Sequence, residues 1–365
     1  MQVTIVGAGA IGGLLGAYMI AAGRDVVLID TNEAHVEAIN RNGLHVHGIR
    51  GDLHVSARAF TPADAPAGLE AVLLACKSLH TVEAVEGIAP KLAPHGFIAS
   101  LQNGFNEERI AALVGAERTV GGLPDYGGAY LEPGVLEFTS EAPLYLGELD
   151  GRPSERIEAL RDACSAFVDT RVSDNILGQV WSKNIYLLQH KLGFTCIPGD
   201  EVDDGLYEES DFQFGAVSLV REGLEIARRR GIAIPGSVYF EPDLYDPSVP
   251  IERAGEHIVD MRARLMRGRK ALIASGYQLR KRGGGLWWDI VHHRRRSEAG
   301  LSGDALVEFG RDVGVDAVLI AHLTDQILRM ERGELERGRH NLQSLLEVAS
   351  AAGYEPQHVP FSPQT

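Results

Sequence analysis

Apolar residues follow two patterns along the chain, short continuous runs up to about residue 150 and long helical periodicity after about Ser154. The runs Gln2 to Val6, Asp25 to Ile29, Ala71 to Cys76 and Phe97 to Leu101 lack polar alternation, as strands buried on both faces do. Between them the periodicity predicts helices over Ile11 to Ala22, ended by Gly23, then Glu33 to Asn42, Thr81 to Leu92 and Glu107 to Val114. Short strands are expected at Leu44 to Val46 and Leu53 to Ser56. Such alternation predicts a parallel sheet with helices on both faces, whose ligands gather at strand C-terminal ends. Lys77, Gln102 and Asn103 stand at such ends. Residues 118–150 read as further strands, with turns at Gly127-Gly128 and Pro133-Gly134, and the sheet is expected to finish there.

The remainder predicts helices starting at Ser154, then over Asn175 to Leu192, Gln213 to Gly231, Glu256 to Leu265, Gly303 to Asp312, Val315 to Arg332 and Arg339 to Ala352. Pro235 to Pro250, rich in Asp, Tyr and Pro, reads as a surface loop or lid, and Glu355 to Thr365 as a loose tail. No repeat of solenoid length is present. The expected domains are residues 1–174, 175–352 and a tail, 353–365.

Val3 to Ala22 is almost uncharged and imitates a leader or membrane span. No basic region precedes it, and glycines at 7, 9, 12, 13 and 16 interrupt it. Gly7, Gly9 and Gly12 instead form G-x-G-x-x-G at a strand-to-helix junction. The first glycine allows the turn, the second admits a pyrophosphate to the backbone, and the third lets helix pack on strand. Gly7, Gly9, Ala10, Ile11 and Gly12 are therefore expected to seat a dinucleotide on the helix N-terminus. Asp30 ends the next strand 18 residues after Gly12, near the ~20-residue offset of a carboxylate that receives ribose hydroxyls. The plainer reading is a tight turn with Asp30 capping the next helix. An ionised Asp30 would repel a 2'-phosphate, and no Lys or Arg follows until Arg41. NAD is the expected cofactor, with NADP as the alternative.

Fifty acidic against 35 basic residues, net -15, disfavours nucleic acid as a partner. Forty-five per cent hydrophobic residues and 23% charged fit a soluble, cytoplasmic protein of two domains, with no membrane partner. Cys76, Cys164 and Cys196 are too scattered for a zinc site or disulfide framework, and no metal is expected.

GAGAIGG at 7–13, ACKSLHT at 75–81, SLQNG at 100–104, GQVWSK at 178–183 and, more weakly, WWDIVHHRRRSE at 287–298 together resemble the ketopantoate reductase family. The resemblance implies an α/β fold, an N-terminal Rossmann dinucleotide-binding domain followed by an all-helical C-terminal domain, assembled as a homodimer. It implies that Lys183 is the general acid on the substrate oxygen, that Asn103 holds substrate and nicotinamide in register, and that Lys77 contacts the cofactor. It implies that Glu298 binds substrate and supports the lysine. Hydride addition to a carbonyl leaves negative charge on oxygen, so a positioned ammonium is chemically apt. Ile176, Leu177, Val180, Ile185, Leu187 and Leu188 around Lys183 should desolvate it, with Glu298 opposing the resulting pKa shift. Taken alone, Lys183 reads as a lysine snorkelling from a half-buried helix.

The chain departs from the family where substrate is chosen. Leu187 and Lys191 stand one and two helical steps of four after Lys183, where the family usually has Asn. An apolar wall replaces amide hydrogen bonds, which redirects choice away from a hydroxyl-bearing acid. Trp287 and Trp288 are expected either to pack on a bulkier 2-oxo acid or to anchor the core. His292, His293, Arg294, Arg295 and Arg296 read as a solvated face, one Arg being able to clamp a carboxylate. His190 could line the cleft beside Lys183. The expected function is an NAD(P)H-dependent reductase, with NADH the expected donor, converting a small 2-oxo acid to a 2-hydroxy acid. The alternatives are 2-dehydropantoate 2-reductase itself, an opine-type imine-reducing dehydrogenase, and a non-catalytic dinucleotide sensor.

Overall fold

The structure is a computed structural model and describes residues 1–199, 205–237, 239–274, 276–278 and 283–354. From residue 355 the expected tail lies outside the described residues. The chain divides into two compact units, residues 1–180 with 268–281, and residues 181–267 with 282–365.

In the first unit the uncharged runs become β1 (Val3–Val6), β2 (Val26–Ile29), β6 (Leu69–Leu74) and β7 (Leu92–Ser100). With β5 (Arg58–Phe60), β8 (Thr119–Pro124), β11 (Leu144–Glu148) and β12 (Thr170–Val172) they form one sheet in the order β12-β11-β8-β7-β6-β1-β2-β5. Pairing is parallel from β5 to β8 and antiparallel between β8 and β11. Both faces are buried, which explains the absence of polar alternation. Val3, Ile5, Val26, Leu28, Ala71 and Leu73 enter one core, while Val6, Val27, Ile29, Val72 and Leu74 enter another. The first core is closed by α1 (Gly12–Ala21) and α5 (Glu155–Cys164), the second by α3 (Thr81–Ile88) and α4 (Glu107–Val114). Helix α2 (Glu33–Asn42) follows β2.

The expectation of a single sheet finishing near residue 150 is corrected. β3 (Leu44–Gly48), β4 (Leu53–Val55), β9 (Gly127–Glu132) and β10 (Val135–Ser140) form a second sheet, ordered β4-β3-β10-β9, and the first sheet gains β12 beyond that point. Leu44, Val46, Leu136 and Phe138 turn one face of the second sheet into the first core.

Helix α6 (Ile176–Cys196) begins in the first unit and continues into the second. The second unit is helical, with α7 (Ser210–Arg229), most of α8 (Ile251–Ala274), the single turn α9 (Gly285–Trp287), α10 (Ala299–Asp312), α11 (Val318–Glu331) and α12 (His340–Ala351). α7 packs against α10, α11 and α12. Its buried Glu222 accepts from the N–H groups of Leu319 (3.2 Å) and Ile320 (2.8 Å), satisfying two donors that the start of α11 would otherwise strand. Burial pushes the Glu222 carboxyl up to about 7, against those bonds.

The stretch Pro235 to Pro250 is mostly a surface loop, as expected, and among its described residues two aromatics anchor it. Phe240 and Tyr245 are fully buried, and Arg221 donates to the carbonyls of Tyr245, Asp246 and Val249 at 2.9–3.1 Å. Ser182 Oγ donates to Pro235 O at 3.1 Å, tying the other end of the stretch to α6. The two aromatics pin a loop whose other described residues are exposed or half-buried.

Candidate dinucleotide and substrate site

In the first unit, the C-terminal ends of β2, β1, β6 and β7 lie side by side. Gly7 N–H donates to Ile29 O, Ala75 N–H to Val6 O and Leu101 N–H to Leu74 O, each at 2.8 Å. Gly7 has φ +98°, and a Cβ there would meet Cys76 N at 2.5 Å. At Gly12 a Cβ would meet Gly7 O at 2.2 Å and Ile5 Cγ2 at 2.6 Å, so helix lies directly on strand. A Cβ at Gly9 would meet nothing within 4 Å, which leaves its backbone open to a ligand. No side chain caps the N-terminus of α1 and no acidic residue enters its first turn. An uncapped, uncharged helix end beside an open glycine backbone fits a pyrophosphate.

Asp30 does not cap α2, a task taken by Asn32, whose side chain accepts from His35 N–H. Its Oδ2 instead accepts from Ala8 N–H at 2.8 Å and its Oδ1 from Asn32 N–H at 2.9 Å. Each oxygen retains a lone pair for a ribose hydroxyl. The next cation, Arg41, faces Glu37 at 3.6 Å on the same helix.

His35, which sequence reading did not single out, fastens the glycine loop at Ala8. It is 1% exposed, and Gly134 N–H donates to its Nδ1 at 2.9 Å. The ring proton therefore sits on Nε2, which donates to Ala8 O at 2.9 Å, and the imidazole is neutral. Asp30 and His35 thus hold opposite sides of Ala8. The signal was only an apolar-facing His on α2; its partners lie 27 and 99 residues away.

Lys77 and Asn103 stand a few residues beyond β6 and β7, Lys77 half-buried and Asn103 exposed. Their loops are cross-linked. Ser78 Oγ and Asn106 Nδ2 both donate to Asn103 O, and Gln102 Nε2 donates to Cys76 O at 2.9 Å. Thr81 Oγ1 lies 3.1 Å from Gln102 Oε1 and 3.0 Å from Asn106 Oδ1. Beside them Glu107 is buried, and desolvation raises its carboxyl to about 7.

The other group of expected residues is carried by α6 and α10 in the second unit. On α6 the side chains at Lys183, Leu187, His190 and Lys191 are half-buried, while most of their neighbours are fully buried, so a four-residue spacing presents one accessible stripe. Lys191 Nζ donates to Ser302 Oγ at 2.8 Å. Desolvation lowers its pKa to about 8, and Glu298, the residue preceding α10, opposes the shift. Lys191 is thus a desolvated lysine with Glu298 close enough to favour its charged form. Burial, reinforced by Arg262, lowers His190 to about 4, which favours the neutral imidazole over the imidazolium.

Trp287 and Trp288 are more than nine-tenths buried and serve as anchors, with His292 stacked on Trp288 at 4.1 Å. Arg295 holds buried Asp289 at 2.7 Å, which engages one of the three arginines that could clamp a carboxylate, and His292 to Arg296 are exposed, as expected of a solvated face.

Residues 3–151 match the family model described as ketopantoate reductase PanE/ApbA. A 2-dehydropantoate 2-reductase of Pyrococcus abyssi is 32% identical over 281 residues, covering 75% of this chain and 87% of that protein. The structure of 2-dehydropantoate 2-reductase from Geobacter metallireducens superposes with a TM-score of 0.70 at 24% identity, over 90% of this chain and 99% of that one. A D-mandelate dehydrogenase solved with NADH and anilino(oxo)acetate superposes with a TM-score of 0.71 at 18% identity, over 92% and 99%. At these identities the two structures speak to the fold.

Proposed function

The chain belongs to the ketopantoate reductase family, NAD(P)-dependent oxidoreductases acting on a keto or hydroxyl group, and within it we propose an NADH-preferring reductase of a small 2-oxo acid other than ketopantoate. The observation that carries the reading is Asp30. It stands just after β2 with Oδ2 turned to the glycine loop and Oδ1 to the Asn32 N–H, where it can accept ribose hydroxyls and repels a 2'-phosphate. Gly7, Gly9, Ala10, Ile11 and Gly12 would hold the pyrophosphate, with Lys77 and Asn103 toward the nicotinamide. Bound NADH supplies the hydride to the substrate's carbonyl carbon.

Lys183 donates the proton that the carbonyl oxygen needs, and Asn103 fixes the reacting face. Glu298 orients the substrate and the ammonium groups of the α6 stripe. Leu187 contributes an apolar wall, and Lys191 adds a second cation on the same helix. We further propose a homodimer in the cytoplasm. The discriminating experiment is a panel of 2-oxo acids, ketopantoate included, assayed with NADH and NADPH. A preference for NADH with turnover of 2-oxo acids lacking the ketopantoate hydroxyl supports the reading. Preference for NADPH of more than about tenfold, or dependence of NADH oxidation on ammonia or an amino acid, would overturn it. Lys183→Ala should cost orders of magnitude in kcat and leave NADH affinity unchanged; near-normal turnover removes Lys183 from the mechanism.

A further inference from the structure

On β3, Leu44 and Val46 are fully buried in the first core. The two-residue period of a strand therefore sends His45 and His47 together to the opposite face. Their rings lie 4.0 Å apart between centroids. Asp52, immediately before β4, places Oδ1 2.7 Å from His47 Nδ1. One donor atom from each of His45, His47 and Asp52 lies within 4.8 Å of the other two. Across the hairpin His54 is in register with His45, its ring 5.7 Å away, and its Nε2 is engaged by Asn42 O. On β10, Glu137 is in register with His47, and Tyr277 OH donates to it at 3.2 Å.

We propose that this face of the β3–β4 hairpin is a binding site for a first-row divalent transition cation, represented by Zn2+, with His45, His47 and Asp52 as protein ligands. Two imidazoles and a carboxylate are a donor set that zinc accepts, with water completing the tetrahedron. Zinc bonds of ~2.0–2.2 Å put ligand atoms roughly 3.3–3.5 Å apart, so the present spacing needs small rotations of half-exposed side chains. The Asp52 carboxylate already directs its charge at His47, and Glu137 adds a second acidic group beside it. Sequence spacing hides the site, because no cysteine pair marks it and a strand gathers residues at i and i+2.

Chelator-stripped full-length protein titrated with ZnCl2 in a calorimeter tests the proposal, with melting temperature followed in parallel. Saturable uptake of one Zn2+ per chain and a melting temperature that rises with free Zn2+ are expected. His45→Gln and His47→Gln should each weaken uptake by at least roughly tenfold. His95→Gln, at an exposed position on β7, should leave uptake unchanged. NADH binding by each variant reports that the first unit is folded. Absence of saturable uptake by the parent protein overturns the site, and so does undiminished uptake by folded His45→Gln and His47→Gln.

Discussion

Replacing His35 by Leu deletes two hydrogen bonds of 2.9 Å while keeping an apolar side chain in the core. Ala8 and Gly134 are buried, so neither stranded backbone group regains water. At ~1–3 kcal/mol for each buried group left unsatisfied, the loss is about 2–6 kcal/mol of stability. The edge-on contact with Tyr130, 5.0 Å between centroids, is also lost. Thermal denaturation should report a drop of roughly 5–20 °C at ~2–4 °C per kcal/mol. The functional effect is separable. Ala8 keeps the Asp30 bond on its N–H side but loses the tether on its carbonyl side, worth ~1–1.5 kcal/mol net. The dinucleotide-ready loop should then be populated roughly 5- to 10-fold less, raising the NADH dissociation constant by that factor in a fluorescence titration. Once NADH is saturating, kcat should recover. His35→Gln, able to keep one bond, should fall between the parent and His35→Leu. If folded His35→Leu bound NADH with parental affinity, the imidazole would be a core residue only and the positioning argument would be refuted.

Buried Glu107 and Glu222, both raised from 4.5 to about 7, remain protonated in the folded chain over a pH range where the unfolded chain has released those protons. Their contribution to stability should therefore fall as pH rises from about 4.5 to about 7, and denaturant titrations of a Glu107→Gln/Glu222→Gln variant should show a flatter profile. Lys191, lowered to about 8, gives the opposite slope: stability should rise between about 8 and 10.5, an increment that Lys191→Met should abolish. Leu187→Asn with Lys191→Asn should raise kcat/KM for ketopantoate over an acid lacking its hydroxyl by about 10-fold or more, measured by competing-substrate assays. Tyr245→Ala should cost about 3–5 kcal/mol, since the ring is fully buried; a loss below ~1 kcal/mol would show that the ring does not anchor this loop.

What could be read from sequence was local. The glycine turn, Asp30 and the uncharged strands follow from spacing within a few dozen residues, and α2 and α4 fall where periodicity put them. Pairing of β3 with β10, nearly 90 residues on, leaves no trace in either segment's period. Strand β5 is three residues long and begins with an exposed Arg, too short to show alternation. Helix α8, expected over Glu256 to Leu265, runs from Ile251 to Ala274, because arginines crowd its second half and blur the apolar stripe. Lys191 was visible only as a departure from a family pattern; its burial and its bond to Ser302 depend on α10, more than a hundred residues away.

The bond from Ala8 to Asp30 bears on how cofactor preference can evolve. Removing the carboxylate to admit a 2'-phosphate would also undo the loop's own fastening, so a lone Asp30→Ala step loses the old cofactor before it gains the new one. A viable route must keep an acceptor at that position, through Asn or Ser, while an arginine arrives elsewhere. If Asp30 selects the cofactor as proposed, it ties that choice to the integrity of the turn it fastens, and substitutions there should be found in combination.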